Sequence, residues 1–219
     1  MTPFNAVAFS GGVDSTVLVM MLQFLYTFKP VLFVFDYGQI HRERELPQAV
    51  KLSAELGCSL TKLELPVMEY SKDSIVVPFR NAEFVLGCAR QLALSRITDA
   101  NIWLGISLVD YEANFPDCNQ EFVTRTNALL QLYEPGFRVV APFLGFPKSA
   151  IVQLGESLRV PWQLTWSCYR GGEKPCGTCL ACVTRVKAFK EAGVNDTLLT
   201  TTQLTGPGTT TKEPSNPLT

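Results

Sequence analysis

Residues 8–21, AFSGGVDSTVLVMM, combine the residue types that bind phosphate at the start of a helix. The serine and two glycines at 10–12 follow a short apolar run, and glycine lets backbone N–H groups approach an anion closely. Ser15 and Thr16 add hydroxyl donors in the first turn of the predicted helix. The usual phosphate loop carries a lysine directly before its Ser/Thr, whereas Asp14 stands at that position here. A glycine turn, with Asp or Ser capping the helix, is the alternative interpretation.

An acidic residue in such a loop needs a cation close to the phosphate. We therefore expect Asp14 to bind Mg²⁺ or to order the loop. Lys148, within the stretch PFLGFPKSAIV, is predicted at the same edge of the sheet and could supply that positive charge. An ordinary surface lysine at a helix start is the alternative interpretation of Lys148.

Four of the seven cysteines fall within fifteen residues and predict a metal site. Their spacing is Cys168-x7-Cys176-x2-Cys179-x2-Cys182, which lets a short loop surround one tetrahedral ion. With four thiols and no histidine nearby, structural zinc is the favoured ion, and an iron–sulfur cluster is the main alternative. An odd number of cysteines without an export signal does not indicate a disulfide framework.

The composition indicates a globular protein and favours a small, polar substrate over nucleic acid. Of 219 residues, 47% are hydrophobic and 18% are charged, which is enough apolar material for a buried core. The net charge of −1 gives no basic excess of the kind that nucleic-acid-binding proteins carry. No targeting signal is recognised, and the longest apolar run, at 17–28, is shorter than the ~20 residues of a membrane span. We therefore predict a cytoplasmic protein that contacts neither membrane nor nucleic acid directly.

Strand and helix patterns alternate along the chain and predict an α/β fold with a doubly wound parallel sheet. The predicted strands are 5–9, 31–36, 59–65, 101–106 and 139–143, and the predicted helices are 14–28, 42–56, 80–97, 118–133, 148–158 and one ending near 192. This organisation predicts an α/β domain that carries the phosphate loop at 1–160, a small four-cysteine zinc-binding appendage with a closing helix at 161–196, and a flexible tail at 197–219. In such sheets, ligands bind beyond the carboxyl ends of the strands, where the loops 10–15, 36–41, 105–118 and 143–148 meet.

The string SGGVDS resembles the PP-loop of the ATP pyrophosphatase families. Further stretches, in order, resemble the 7-cyano-7-deazaguanine synthase family: FDYGQIHRERE, VPFRNAEFV, FPDCNQEF and TWSCYRGGEKPCGTCLACVTRVKAF. The resemblance runs from about residue 6 to residue 196. It implies an ATP-dependent ligase that converts 7-carboxy-7-deazaguanine and ammonia into the nitrile through an adenylated carboxylate and an amide. It also implies bound ATP, Mg²⁺ and Zn²⁺, and a homodimer.

The residues that match the family motifs define the predicted site. The expected ATP-binding residues are Phe9, Ser10, Gly11, Gly12, Val13, Asp14, Ser15, Thr16, Val17, Leu18 and Val19. The expected catalytic residues are Asp14, Ser15, Arg80, Asp117 and Lys148. The expected substrate-binding residues are Tyr37, Gln39, Asn81 and Asp110. Arg80 and Asn81 could instead cap the helix that follows them, and Asp117 could cap the next one.

Some features leave alternatives open. His41, the only histidine, could deprotonate ammonium, orient a water molecule or remain solvated. Two stretches of the presumed substrate loop depart from the family pattern, with Ser107 in place of the usual asparagine and Ala-Asn-Phe at 113–115 in place of Ser-Gly-Tyr. Another PP-loop enzyme, such as a tRNA thiolase using Cys118, and a non-catalytic nucleotide-binding relative are the competing interpretations. The resemblance does not choose among tRNA modification, DNA modification and defence.

Overall fold

The structure is a computed structural model that describes residues 2–67, 77–113 and 115–199. The tail predicted at 197–219 lies outside the described residues from 200 onward, as does Asn114. The elements, in chain order, are β1 Phe4–Ala8, α1 Val13–Tyr26, β2 Val31–Asp36, α2 Arg42–Glu55, β3 Leu60–Glu64, α3 Arg80–Leu94, β4 Asp99–Leu104, α4 Leu108–Glu112, α5 Gln120–Gln131, β5 Gly136–Val140, α6 Lys148–Ser157 and α7 Leu180–Ala192. A 3₁₀ turn, Trp162–Leu164, precedes the cysteine segment.

The described strands form one parallel sheet in the order β3-β2-β1-β4-β5. The chain first builds outward from β1 to β3 and then returns to the other side of β1, so the strand order reverses between β1 and β4. Their last residues, Ala8 and Leu104, are partners in the register. A crevice at such a reversal is the usual ligand site of a doubly wound sheet. The predicted α/β fold with a parallel sheet is confirmed.

Helices cover both faces of the sheet. On one face, α1 and α6 contribute Val17, Leu18 and Ile151 to a core that also receives Phe189 of α7. On the other face, α3 and α5 pack against the strands through a second apolar cluster that includes Cys88. Burial on both faces explains why the central strands have nearly continuous apolar sequences.

Two elements differ from the sequence-based expectation. The last strand lies at Gly136–Val140, three residues before the predicted 139–143, because its partners are the residues of β4 from Asp99 to Trp103. Pro142 lacks an N–H donor and cannot continue the ladder. The short helix α4 was expected to be loop. Asp110 Oδ2 accepts hydrogen bonds from both the backbone N–H and the hydroxyl of Ser107, at 2.9 Å each, and thereby closes its first turn.

The cysteine segment is fastened to the sheet domain by polar contacts. Trp166 N–H donates to Gly11 O at 2.9 Å, which joins the segment to the phosphate loop. The Arg185 guanidinium of α7 donates to both carboxylate oxygens of Asp196, at 2.6 and 2.8 Å, and to the carbonyl oxygen of Trp162. Among the helices described, none combines the length and hydropathy needed to cross a bilayer.

Candidate active site

The loop between β1 and α1 has the form of an anion-binding site. Thr16 Oγ1 donates to Gly12 O at 2.7 Å, and Ser10 Oγ lies 3.3 Å from both Gly12 N and Ser15 Oγ. These contacts fix the loop, and the first N–H groups of α1 have no helical carbonyl partners of their own. The loop therefore presents N–H and O–H donors at the positive end of a helix dipole.

Asp14 and Lys148 form a buried ion pair beside this loop. Lys148 Nζ donates to Asp14 Oδ2. The lysine side chain is 19% exposed and the aspartate side chain 8%. Burial alone would lower the pKa of Lys148, but the carboxylates of Asp14 and Asp110 raise it and keep the ammonium charged. Asp14 Oδ1 is buried and has no hydrogen-bond partner among the described residues. The structure thus brings together the predicted acid and the predicted distant cation.

Gly105, directly after β4, lets the neighbouring loop lie against the phosphate loop. A Cβ atom at Gly105 would come within 2.9 Å of Ser15 N and 3.1 Å of the Asp14 carbonyl carbon. Backbone atoms at that distance cannot move aside without displacing the start of α1. The close approach of the two loops therefore requires glycine at this position.

One cavity connects the phosphate loop with the ends of β2 and β4. Its polar lining includes Ser10, Asp14, Ser15, Tyr37, His41, Glu45, Arg80, Asn81, Asp110, Cys118, Lys148 and Tyr169. The cavity has two different ends, since the phosphate loop and Lys148 lie at one and an aromatic group with Arg80 at the other. A small polar molecule with a planar ring fits such a lining.

The aromatic end is formed by rings from three elements. Phe84 stacks on Phe35, with ring centroids 4.2 Å apart and planes inclined by 10°, and Tyr37 lies against Phe84 at 5.5 Å. The Arg80 guanidinium lies 5.9 Å from the centroid of the Phe115 ring. Although burial opposes its charge, the acidic groups of Tyr37, Tyr169 and Asp117 raise the pKa of Arg80, so it remains a cation.

Three predicted site residues have structural partners. The backbone N–H of Asn81 donates to Asp117 Oδ2 at 2.9 Å, so Asp117 caps α3 across 36 residues of sequence. The helix after Asp117 is capped instead by Asn119, whose side chain accepts a hydrogen bond from Phe122 N. Gln39 is buried, accepts from Tyr37 N at 3.0 Å and donates to Phe35 O at 2.9 Å. Neither Asp117 nor Gln39 is among the residues that line the cavity.

The rest of the predicted ATP-binding stretch supports the loop from behind. Phe9, Val13, Val17, Leu18 and Val19 are buried in the core. Of these, only Phe9 and Val13 also border the cavity. The remaining three fix α1 against the sheet, and this packing holds the helix start in place.

The four clustered cysteines form a candidate metal centre. Their Sγ atoms all lie within 4.8 Å of one another, and those of Cys176 and Cys182 are 3.9 Å apart. A tetrahedral zinc–thiolate site with bonds of ~2.3 Å places its sulfur atoms ~3.8 Å apart. Cys179 N–H donates to Cys176 Sγ at 3.3 Å. Although desolvation acts against it, backbone hydrogen bonds lower the pKa of the Cys176 thiol to about 6, which favours the thiolate that a metal requires. The donor set therefore fits a closed structural metal site.

The chain matches the family model described as "Queuosine biosynthesis protein QueC" over residues 5–76 and 67–193. This chain belongs to the QueC family. The match covers the phosphate loop, the residues of the cavity and all four clustered cysteines, so the family assignment rests on the site as well as on the fold.

Curated relatives match nearly the whole length of this QueC-family chain. A protein of Methanoculleus marisnigri named 7-cyano-7-deazaguanine synthase is 36% identical over 212 residues, covering 85% of this chain and 94% of the relative. A protein of Trichodesmium erythraeum with the same name is 32% identical over 226 residues, covering 87% of this chain and 97% of the relative. A solved NMN synthetase of Francisella tularensis is similar in fold, with a TM-score of 0.50 at 14% identity over 88% of this chain and 78% of that one.

Sequence reasoning missed several cavity residues of this QueC-family member. Glu45 and Tyr169 were not among the predicted site residues, although both line the cavity. Glu45 follows His41 by one helical turn, a spacing that could have indicated a pair on one face of α2. Tyr169 directly follows a cysteine of the metal site, and nothing in the pattern indicates that its ring turns toward the sheet.

Proposed function

We propose that this chain is an ATP-dependent ligase that converts 7-carboxy-7-deazaguanine and ammonia into 7-cyano-7-deazaguanine. The proposal is supported by the QueC family match and by the names of relatives that are 32–36% identical over most of their length. Their names describe a synthase, and the cavity of this chain has the two ends that such a reaction needs.

The observation that carries the proposal is the lysine-free phosphate loop with Lys148 held at its side by Asp14. A lysine inside the loop serves transfer of the γ-phosphoryl group. Here the cation lies beyond the helix start, where it can stabilise charge on a departing pyrophosphate while a carboxylate attacks the α-phosphorus. The loop donors then bind the β- and γ-phosphates.

The first half of the reaction makes an amide. A carboxylate oxygen of the substrate attacks the α-phosphorus of ATP, and pyrophosphate leaves with the electron pair of the broken P–O bond. Ammonia then attacks the activated carbonyl carbon, and AMP departs with the former carboxylate oxygen. In the second half, the amide oxygen attacks a second ATP, and loss of AMP together with the two N–H protons gives the nitrile.

Mg²⁺ is proposed to neutralise the phosphates of ATP, and Asp14 would hold it. The buried Oδ1 atom of Asp14, which lacks a described hydrogen-bond partner, suits a cation that prefers oxygen ligands. Zinc is proposed to be held by Cys168, Cys176, Cys179 and Cys182, where a closed thiolate site would fix the start of α7. Ser15 would contribute its hydroxyl to the phosphate site.

The aromatic end of the cavity is proposed to bind the deazaguanine ring. Tyr37, Phe84 and Phe115 offer ring faces for stacking. Arg80, Asn81 and Asp110 offer donors and acceptors for the amide and exocyclic amine of a guanine-like base. We propose that Asp117 and Gln39 position this end rather than contact the substrate, because their polar groups cap α3 and close the loop after β2.

Three further features belong to the same proposal. The sheet domain comprises residues 1–160, and the cysteine segment with its closing helix comprises residues 161–196. The protein acts as a cytoplasmic homodimer, which light scattering coupled to size exclusion tests. Its substrates are small molecules, and it does not contact nucleic acid directly.

Cys118 bears on the competing hypothesis of a tRNA thiolase. The thiol is buried, and its pKa is raised far above its ordinary value by burial first and by Asp110 and Asp117 next. A sulfur carrier needs an accessible thiolate, which this environment disfavours. The balance of acidic and basic residues, 20 against 19, also offers no excess of positive charge for tRNA.

Mass spectrometry of products tests the proposal. The purified protein is incubated with ATP, Mg²⁺, ammonium and 7-carboxy-7-deazaguanine, and the nitrile is expected together with AMP. Accumulation of the amide alone would restrict the function to the first half of the reaction. Absence of both products, with ATP still bound, would overturn the proposal.

A further inference from the structure

We propose that His41, oriented by Glu45, is the base that removes protons from nitrogen in both halves of the reaction. This inference rests on the proposed function and adds to it the residue that handles the ammonia-derived nitrogen. His41 ends the loop after β2, and Glu45 lies one turn further along α2.

The geometry of the pair sets the tautomer of the imidazole. His41 Nε2 lies 2.6 Å from Glu45 Oε2, and the two side chains are 13% and 11% exposed, respectively. Nε2–H donates to Glu45, so Nδ1 is the nitrogen that carries the lone pair whenever the ring is neutral. That Nδ1 atom is buried and has no hydrogen-bond partner among the described residues. An imidazole whose orientation is fixed by a carboxylate and whose other nitrogen has no partner has the arrangement that general-base catalysis requires.

His41 is held within the substrate cavity rather than in solvent. Both His41 and Glu45 line the cavity that contains the phosphate loop. The ring of Tyr169 lies 6.1 Å from the His41 ring, and Tyr169 lines the same cavity. The histidine is therefore next to an aromatic ring of the cavity lining.

The backbone around His41 is also closely packed. A Cβ atom at Gly171 would lie 2.7 Å from His41 Cα and 2.9 Å from Ile40 O. The loop that follows Cys168 therefore rests directly on the histidine and fixes its main chain. Through this contact the cysteine segment helps to form the site, although no reaction step takes place at its metal.

The proton transfers balance as follows. Ammonia forms the C–N bond with its lone pair, one N–H proton passes to His41 Nδ1, and AMP leaves with the electron pair of the C–O bond. In the second half, the adenylated amide loses its two N–H protons in turn to Nδ1. The electron pair of the last N–H bond forms the third C–N bond while AMP leaves. His41 returns each proton to solvent between steps.

Two assays on the full-length protein separate nitrogen chemistry from carboxylate activation. Exchange of radiolabelled pyrophosphate into ATP, with the carboxylate but without ammonia, reports activation alone. Hydroxylamine, a nucleophile that depends less on a base, traps the activated carboxylate as a hydroxamate. Amide and nitrile formation from ammonia report the steps that need His41.

His41→Asn is expected to keep exchange and hydroxamate formation at the wild-type rate and to lose amide formation by roughly 100-fold or more. Glu45→Gln is expected to show a smaller loss of amide formation than His41→Asn. Added imidazole is expected to restore part of the amide formation in His41→Ala, which a purely structural role would not allow. Arg42→Gln, on the exposed face of the same helix, serves as the matched control and is expected to behave as wild type.

Equal loss of exchange and amide formation in His41→Asn would overturn the inference, because it would assign His41 to activation or folding. Unchanged amide formation in that variant would also overturn it. If the wild-type protein itself shows no carboxylate-dependent exchange, the proposed function fails, and the inference fails with it, independently of any variant.

Discussion

Lys148 Nζ donates to Asp14 Oδ2 across 134 positions of sequence, and the pair closes the phosphate-loop end of the cavity. The first residue of α6 thereby supplies the positive charge that the loop itself lacks. Because both side chains are mostly buried, the charge of each is balanced mainly by the opposite charge of the other. The pair joins the first residue of α6 to the first turn of α1.

Lys148→Met is expected to slow carboxylate-dependent pyrophosphate exchange by roughly 100-fold to 1,000-fold. It is also expected to destabilise the fold by about 3–5 kcal/mol, since it leaves Asp14 buried without its partner. The double variant Asp14→Asn/Lys148→Met should recover stability but not activity. Lys187→Met, at a side chain that is 74% exposed, is the control. A fully active Lys148→Met would contradict this role.

Gly105→Ala is expected to raise the Michaelis constant for ATP by about tenfold, equivalent to about 1.4 kcal/mol. Its methyl group would press on the backbone of Ser15 and displace the phosphate donors. Gly145→Ala is the matched control, because a Cβ there meets nothing within 4 Å. Steady-state kinetics at saturating carboxylate measure the difference. Equal behaviour of the two variants would show that the close contact of the two loops is unimportant.

Cys179→Ser is expected to lose the bound metal and to lower the melting temperature, since a metal site in this segment fastens the start of α7. Elemental analysis should find about one zinc per chain in the wild-type protein and no iron. Cys58→Ala, at a buried cysteine outside the cluster, should retain the metal. A visible absorption band accompanied by iron would instead identify an iron–sulfur cluster.

Asp196→Ala is expected to destabilise the protein by about 3–5 kcal/mol, because it leaves the Arg185 guanidinium buried without its carboxylate. For a chain of this length, that loss corresponds to a fall in melting temperature of roughly 6–20 °C. Glu191→Ala removes an exposed ion pair on the same helix and should cost less than about 1 kcal/mol. Similar melting temperatures for the two variants would refute the fastening role of Arg185.

Cys118→Ser is expected to leave nitrile formation nearly unchanged. The pKa of the Cys118 thiol is raised well above its ordinary value, so the thiol stays protonated at neutral pH and reacts slowly with alkylating reagents. Reaction becomes faster only as pH rises toward that pKa, because the thiolate is the nucleophile. Loss of all activity in Cys118→Ser, with the fold intact, would favour the thiolase hypothesis.

The sequence predicted which loops form the site, because the ends of buried strands can be recognised from their residue patterns. Buried strands such as Val31–Asp36 have a continuous apolar pattern, and loops that follow parallel strands meet at one edge. The meeting of Asp14 with Lys148 could be anticipated on that basis alone. The metal site could also be predicted from the cysteine spacing, because its four ligands lie close together in the chain.

What the sequence did not predict depends on long-range contacts. Asp117 caps a helix that begins at Arg80, far earlier in the chain, and no local pattern encodes that partner. The position of Tyr169 beside His41 depends on how the metal segment folds back onto the sheet. The start of β5 at Gly136 follows from its register with β4, which side-chain alternation alone does not fix.

Isotope transfer tests the central claim most directly. The carboxylate of the substrate is labelled with the heavy isotope of oxygen, and the phosphorus-containing products are separated and weighed. Attack on the α-phosphorus predicts one labelled oxygen in each AMP and none in pyrophosphate. Label in inorganic phosphate, with ADP as the other product, would show γ-phosphoryl transfer and would contradict the account of the lysine-free loop.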